Sequence, residues 1–295
     1  MEKTNETDEN LKAIVREKYG IVAREGTSCC GPTSCNGSGE ISNTFINLSE
    51  KYNALDGYNP DADLQLGCGI PTAGAGLQKG QIVLDLGSGA GNDVFIAANI
   101  VGKEGKVIGV DMTPDMIKKA RENARKLSVD NVEFRLGEIE ALPVDTGSID
   151  RILSNCVLNL VPNKTKAFQE MFRVLKPGGR FSVSDIVLEG PFPDALKSQV
   201  ELYVGCISGA IQKSEYLGAL SNAGFTNIEV VKEKRIEISQ ELLESVFTLE
   251  QIAILNKETV GAISITVQGD KSIDSTAVKA PCCNPVNKST QGTCC

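Results

Sequence analysis

Cys156 ends an apolar and short-polar segment, residues 149–156, that lies downstream of Asp85-Leu86-Gly87-Ser88-Gly89-Ala90-Gly91. The glycine-rich segment reads as a cradle for a nucleotide-type cofactor. In an open parallel sheet, ligands sit beyond the carboxyl ends of the strands. A strand that ends in Cys156 therefore sets a thiol at the edge of the cradle. Cys68 and Cys206 are candidates to join it from other parts of the chain. Sulfur ligands facing a cofactor suit a soft, thiophilic substrate.

Composition narrows the chemistry further. The chain has 295 residues, ten of them cysteine and none histidine. Without imidazole, the commonest general base and the commonest nitrogen ligand are both missing. Cytosolic cysteines stay reduced, so this number points to redox chemistry or soft-metal ligation rather than a disulfide framework. A net charge of −8 repels phosphate backbones and anionic lipid, which argues against nucleic acid and membrane partners. No apolar run reaches the length of a membrane span, and residues 1–10 lack a signal-peptide core. A cytoplasmic monomer is the expectation.

These groups need a scaffold, and the pattern supplies one. From 81 to about 187, short apolar runs alternate with helical segments. Strands are expected at 82–86, 106–111, 132–136, 149–155 and 180–185. Helices are expected at 92–100, after the Thr113-Pro114 start signal, and at 163–175, stopped by Lys176-Pro177-Gly178-Gly179. Such alternation indicates right-handed crossovers and an α/β fold, a doubly wound, mostly parallel Rossmann-like sheet. A helical insertion follows, with helices at 194–210 and 213–223. A small C-terminal α+β unit is expected last, with strands at 228–238 and 262–267 around a helix at 240–256. At the start, Leu11, Ile14, Val15 and Lys18 fall at helical spacing within 1–26. The organisation read from this is an N-terminal helix and Cys-rich loop (1–60), a cofactor domain (61–190), a substrate-binding and C-terminal unit (191–268) and a disordered tail (269–295).

The cradle can be narrowed by what it lacks. A dinucleotide fingerprint needs glycine where Asn92 stands, and the segment has no Gly-Lys-Ser/Thr ending. Asp111 closes the second strand, where a carboxylate can accept ribose hydroxyls. A ligand with ribose and adenine but no pyrophosphate fits, and S-adenosylmethionine (SAM) is such a ligand. Four features in order complete the pattern: residues 85–91, Asp111, Gly137-Glu138-Ile139-Glu140-Ala141-Leu142-Pro143, and Arg173-Val174-Leu175-Lys176-Pro177-Gly178-Gly179. Together they resemble the class I SAM-dependent methyltransferases. The resemblance implies that Asp85, Gly87, Gly89 and Gly91 lie along the methionine part and ribose. It implies that Asp111 binds the ribose, that Met112 packs on adenine, and that Glu138, Ile139 and Glu140 reach the adenine amino group. Asn155 is a further cofactor-site candidate.

Three cysteine segments sharpen the likeness: Leu66-Gly67-Cys68-Gly69-Ile70-Pro71, Ser154-Asn155-Cys156-Val157-Leu158-Asn159-Leu160-Val161-Pro162, and Gly205-Cys206. With the motifs above they resemble arsenite methyltransferases from about residue 15 to 238, and the likeness fades in the last 50 residues. The resemblance implies that Cys156, Cys206 and Cys68 ligate trivalent arsenic. Its lone pair would attack the SAM methyl group, so no general base is required. The resemblance also implies that Cys68 forms a disulfide with a residue of the N-terminal loop. Cys30 is the choice, with Cys29 and Cys35 as alternatives, and thioredoxin or glutathione would reduce the disulfide. Many relatives carry an aromatic residue where Leu66 stands. Cys282, Cys283, Cys294 and Cys295 could contact a metal or metalloid or be inert. The competing readings are a quinone-precursor C-methyltransferase and a non-enzymatic metalloid-binding protein.

Overall fold

A computed structural model of the chain describes residues 2–25, 50–190, 209–236, 248, 250, 252 and 261–273. In chain order its elements are α1 (Glu2–Glu25), β1 (Ile82–Leu86), α2 (Asn92–Val101), β2 (Lys106–Asp111), α3 (Pro114–Leu127), β3 (Val132–Leu136) and β4 (Ile149–Asn155). They continue with α4 (Lys164–Val174), β5 (Leu175–Glu189), α5 (Lys213–Asn222), β6 (Thr226–Arg235) and β7 (Gly261–Asp270). Short 3-10 turns occupy Pro71–Gly74 and Leu158–Leu160.

The strands form a single sheet in the order β3-β2-β1-β4-β5-β7-β6. β1 to β5 are parallel, whereas β7 runs antiparallel to both β5 and β6. The direction of strand order reverses between β1 and β4, where Leu86 pairs with Ser154. That reversal opens a crevice above the carboxyl ends of the two strands. The C-terminal strands expected as a small unit thus continue the main sheet as its antiparallel edge.

Alternation along the strands sorts the core onto two faces. Leu84, Leu86, Ile152 and Phe181 pack beneath Phe168 and Met171 of α4 and Tyr216 and Leu220 of α5. Val83, Val107, Leu153 and Phe134 pack beneath Val94 and Phe95 of α2 and Ile117 of α3.

Two local expectations change. The segment Lys176-Pro177-Gly178-Gly179 does not separate α4 from its strand; β5 begins at Leu175. The partner of β4 jumps from Leu175 to Arg180 within two residues, so the intervening residues bulge out. Gly178 and Gly179 recover their bonds from Lys271, at 2.8 and 2.9 Å. In α1 the buried side is Lys12, Val15, Val22 and Ala23, while Leu11 is 43% and Ile14 62% exposed. A lysine faces inward because carboxylates wait for it there.

One buried acid stands apart from the cofactor crevice. Asp185 of β5 lies beneath α5, where Tyr216 donates its hydroxyl at 3.2 Å and the Ile186 N–H donates at 3.0 Å. Burial pushes its pKa up to about 7 against these bonds and the pull of Lys164. A raised carboxyl binds its proton more tightly folded than unfolded. Its contribution to stability therefore falls as pH rises from the unfolded value to the folded one. Asp185→Asn is accordingly expected to raise the melting temperature more at about pH 8 than at about pH 5. Thermal scans at the two pH values check this, and an equal shift at both refutes the titration.

Candidate active site

The cradle forms because β1 stops at Leu86 and the chain turns sharply into α2. Gly87 has φ +64 and Gly89 φ +51, the left-handed region where side chains are strained. A Cβ on Gly87 would meet Val157 at 2.4 Å, whereas Gly89 has open space before it. The Gly89 N–H donates to Asp111 Oδ2 at 3.0 Å, and the Thr113 N–H donates to Oδ1 at 2.8 Å. Asp111 is thus fixed at the tip of β2. Burial pushes its pKa up, and these main-chain bonds oppose that shift.

One cavity lies over the switch point. Asp85, Gly87, Gly89, Asp111, Met112, Glu138, Ile139, Glu140, Asn155 and Cys156 all line it. Gly91 does not line it; instead it begins α2, and a Cβ there would meet Phe95 and Phe134. The carboxylates of Glu138 and Glu140 are engaged from α1. Lys12 Nζ lies 2.8 Å from Glu138 and 2.6 Å from Glu140, and Arg16 lies 2.8 Å from Glu138. The Asn163 N–H donates to Glu140 Oε1 at 3.0 Å. Burial pulls the Lys12 ammonium down, but hydrogen bonds to Glu138 and Glu140 outweigh it and hold it above its ordinary range.

The cavity carries unmet polar capacity. Ser88 Oγ and Asn92 Oδ1 are buried without a hydrogen-bond partner, and both residues line it. Asp85 is almost fully buried on the α2 side, and burial together with the charges of Asp93 and Asp111 pushes its pKa well up. Such groups suit a ligand bearing hydroxyls and positive charge. SAM has ribose hydroxyls, an ammonium and a sulfonium, so the residues present fit it.

The thiol loop is bolted to the same place. The Cys68 N–H donates to Asn155 Oδ1 at 3.0 Å, and Asn155 Nδ2 lies 2.8 Å from the Gly69 carbonyl. Ser264 of β7 donates to the Cys68 carbonyl at 2.7 Å. A Cβ on Gly67 would sit 2.6 Å from Asn155 Nδ2, and one on Gly69 2.5 Å from Ser184 Oγ. The two glycines flanking Cys68 are therefore clearances for two particular side chains. The Gly-Cys-Gly and Ser-Asn-Cys segments are two halves of one joint.

Cys156 sits just past the end of β4. Its N–H donates to the Ser184 carbonyl at 2.8 Å, and its own φ is +59. A left-handed non-glycine residue costs about 1–2 kcal/mol. Strain of this kind clusters at functional sites. Cys68 and Cys156 are both buried, at 2% and 3% exposure. Burial and Asp185 push the Tyr216 hydroxyl up; the bond from the Cys68 N–H to Asn155, the residue before Cys156, is what sets the two cysteines in one neighbourhood. Cys206, Cys30, Cys29, Cys35 and the four tail cysteines lie outside the described residues. Among the described residues, no group of three Cys, Asp or Glu side chains could hold a metal ion.

Sequence reading missed Lys12, Tyr52, Asn92 and Asp93, all of which line the cavity, as does Ser88 of the expected cradle. Asn92 and Asp93 directly follow the glycine turn, and that position was the available signal. Tyr52 and Lys12 come from segments whose approach only the fold reveals.

The comparisons with known proteins agree with this geometry. A family described as "Methyltransferase domain" matches residues 77–224. A crystal structure of an arsenic(III) S-adenosylmethionine methyltransferase from Chlamydomonas reinhardtii superposes with a TM-score of 0.61 at 34% identity. The match covers 70% of this chain and 68% of that one. The chain belongs to the arsenite methyltransferase family of SAM-dependent methyltransferases. An arsenite methyltransferase from Halobacterium salinarum is 45% identical over 234 residues, 75% of this chain and 59% of the relative. A ubiquinone/menaquinone biosynthesis C-methyltransferase from Salmonella arizonae is 35% identical over 144 residues, 48% of this chain and 57% of that one. The chain thus spans a little over half the length of these curated relatives. No helix among the described residues is long and apolar enough to cross a membrane.

Proposed function

We propose that this protein methylates trivalent arsenic held by cysteine thiolates. The observation that carries the reading is the joint between the Cys68 loop and Asn155, the residue before Cys156, at the rim of the cofactor cavity. Cys68 and Cys156 supply two soft donors. Cys206 is assigned as the third. Gly209, three residues beyond it, packs against the Asn159 carbonyl just past Cys156.

Three thiolates would hold arsenic as a pyramid with its lone pair outward. When bound, SAM supplies an electrophilic methyl group. The residues of the cradle and the joint then have to align two centres, and proximity carries the rate. No proton leaves the attacking atom, which suits a chain without histidine. Thiol ligation releases protons to solvent. Methylation takes arsenic formally from the trivalent to the pentavalent state. Attack of the Cys30 sulfur on the arsenic-bound sulfur of Cys68 would form the disulfide, break the Cys68–arsenic bond and leave its electron pair on arsenic, returning it to the trivalent state; only Cys30 gives up a proton in that step. Thioredoxin or glutathione restores the pair by exchange.

The test is one incubation of the purified protein with SAM, a thiol reductant and arsenite, with arsenic separated by chromatography. Methylated arsenicals with stoichiometric S-adenosylhomocysteine are expected; their absence overturns the reading. Cys30→Ser in the same assay should block arsenite yet spare a monomethylated substrate, and equal loss on both overturns the redox assignment.

A further inference from the structure

Asp93 stands in the first turn of α2, is 7% exposed, and lines the cofactor cavity. Its hydrogen-bond partners among the described residues are neutral. The Tyr52 hydroxyl lies 3.2 Å from both Oδ1 and Oδ2, and Asn155 Nδ2 lies 3.1 Å from Oδ2. Burial pushes its pKa up to about 6, and those two bonds hold it from rising further. The anion is short of compensation.

The same two donors also hold the thiol loop. The Tyr52 hydroxyl is 2.8 Å from the Gly69 carbonyl, and so is Asn155 Nδ2. Asn155 Nδ2 is also 2.7 Å from the Tyr52 oxygen. An amide offers two N–H groups and a phenol one O–H. Those protons face the Gly69 carbonyl, the Tyr52 oxygen and both oxygens of Asp93. Acceptors outnumber donors, so the network has two ways to be satisfied. In one, the Tyr52 proton serves Asp93 and the Gly69 carbonyl depends on Asn155 alone. In the other, Asp93 is served from the cavity, and Tyr52 and Asn155 both grip Gly69.

We propose that Tyr52, Asp93 and Asn155 form a proton-sharing joint through which a cation in the cofactor cavity tightens the loop that carries Cys68. The three act as positioning residues. A ligand whose positive charge serves Asp93 frees the Tyr52 hydroxyl for Gly69. The loop, already held by Asn155 and Ser264, then grips Cys68 more tightly when a methyl donor is present. S-adenosylhomocysteine keeps the ammonium but has lost the sulfonium charge, so it compensates Asp93 less and the grip loosens after transfer. Binding free energies couple reciprocally, so arsenic held by the thiols tightens the cavity toward the cationic ligand as well. The arsenic part rests on the function proposed above, whereas the loop tightening does not.

The test follows alkylation of Cys68 by N-ethylmaleimide, located by peptide mass spectrometry. It compares the protein alone, with saturating SAM, and with saturating S-adenosylhomocysteine. SAM is expected to slow Cys68 alkylation about tenfold, within the span of ordinary site-to-site coupling, and the homocysteine product to slow it less. In Tyr52→Phe, Asn155 alone can serve both Asp93 and Gly69, so SAM should bind yet leave the Cys68 rate unchanged. Asp93→Asn should weaken SAM, since it removes the anion the cation serves, but at saturating SAM it should likewise leave the Cys68 rate unchanged, and it serves if the first variant folds poorly. Simple shielding of the thiol by the ligand would persist in both variants. The proposal is overturned if SAM binds the parent without slowing Cys68, or if both variants keep the protection. Arsenite is titrated in parallel with an analogue that carries an amine in place of the sulfonium. If arsenite fails to bind anywhere, the proposed substrate is wrong while the alkylation result still judges the joint.

Discussion

Replacing Cys156 with serine is expected to lower arsenite methylation by more than about a hundredfold, the scale on which misplaced reactants lose rate, while SAM binds as before. The separation follows from where the residue sits. Cys156 lines the cavity rim, whereas the groups that hold the cradle together are Gly89, Asp111 and Thr113. Serine is close in size and no worse in the left-handed backbone at φ +59, so the fold should tolerate it. What disappears is a soft donor, and a hydroxyl does not replace it for arsenic. The outcome also divides the competing chemistries. A methyltransferase acting on a quinone-precursor carbon has no need of the thiol, so Cys156→Ser would remain active on such a substrate. A metalloid-binding protein without catalysis would lose arsenite affinity here but would be indifferent to Asp111→Ala. Isothermal titration with SAM, beside arsenic speciation, reads both quantities. Arsenite turnover at the parental rate would remove Cys156 from the site.

The parallel sheet was legible because β1 and β2 are short apolar runs, β3 alternates apolar and charged residues and β4 centres on Ile152 and Leu153, each closed by Gly, Asp or Cys. Their observed bounds match the expected ones closely. What local pattern could not reveal was anything set by distant partners. β5 begins early because Lys271 stitches Gly178 and Gly179 into the ladder. β6 and β7 join the main sheet because β7 pairs along all of residues 180–189. In α1, periodicity favoured Leu11 and Ile14, yet Lys12 turned inward to meet Glu138 and Glu140 from 126 residues away or more. The candidate site divides the same way. Its glycines, Asp111 and the thiols stand in recognisable motifs, but the reason for each flanking glycine lies in Asn155 and Ser184. Tyr52 and Asp93 gain meaning only once the Cys68 loop is seen resting on them.

Gly69→Ala gives the sharper test of that joint, because a single methyl group is expected to cost arsenite affinity more than about tenfold with SAM affinity unchanged. The new Cβ would lie 2.5 Å from Ser184 Oγ and 2.7 Å from Ser184 Cβ. Overpacking of this kind costs about 1–3 kcal/mol, and the side that yields is the softer one. Ser184 is fixed in β5, paired to Asn155 on one side and Thr266 on the other, with its hydroxyl 3.0 Å from Thr266 Oγ1. The loop is held by individual side chains from Asn155, Tyr52 and Ser264. It must lift, and Cys68 lifts with it, away from Cys156. If the clash is the cause, removing its other half should relieve it. Ser184→Gly added to Gly69→Ala is expected to recover most of the arsenite affinity, at a stability cost of about 0.5–1 kcal/mol for glycine in a strand. The double-mutant cycle isolates the contact from each residue's separate effects. Parental arsenite affinity in Gly69→Ala would show that Cys68 need not be held there. A double variant no better than the single would show that the glycine serves something other than clearance for Ser184.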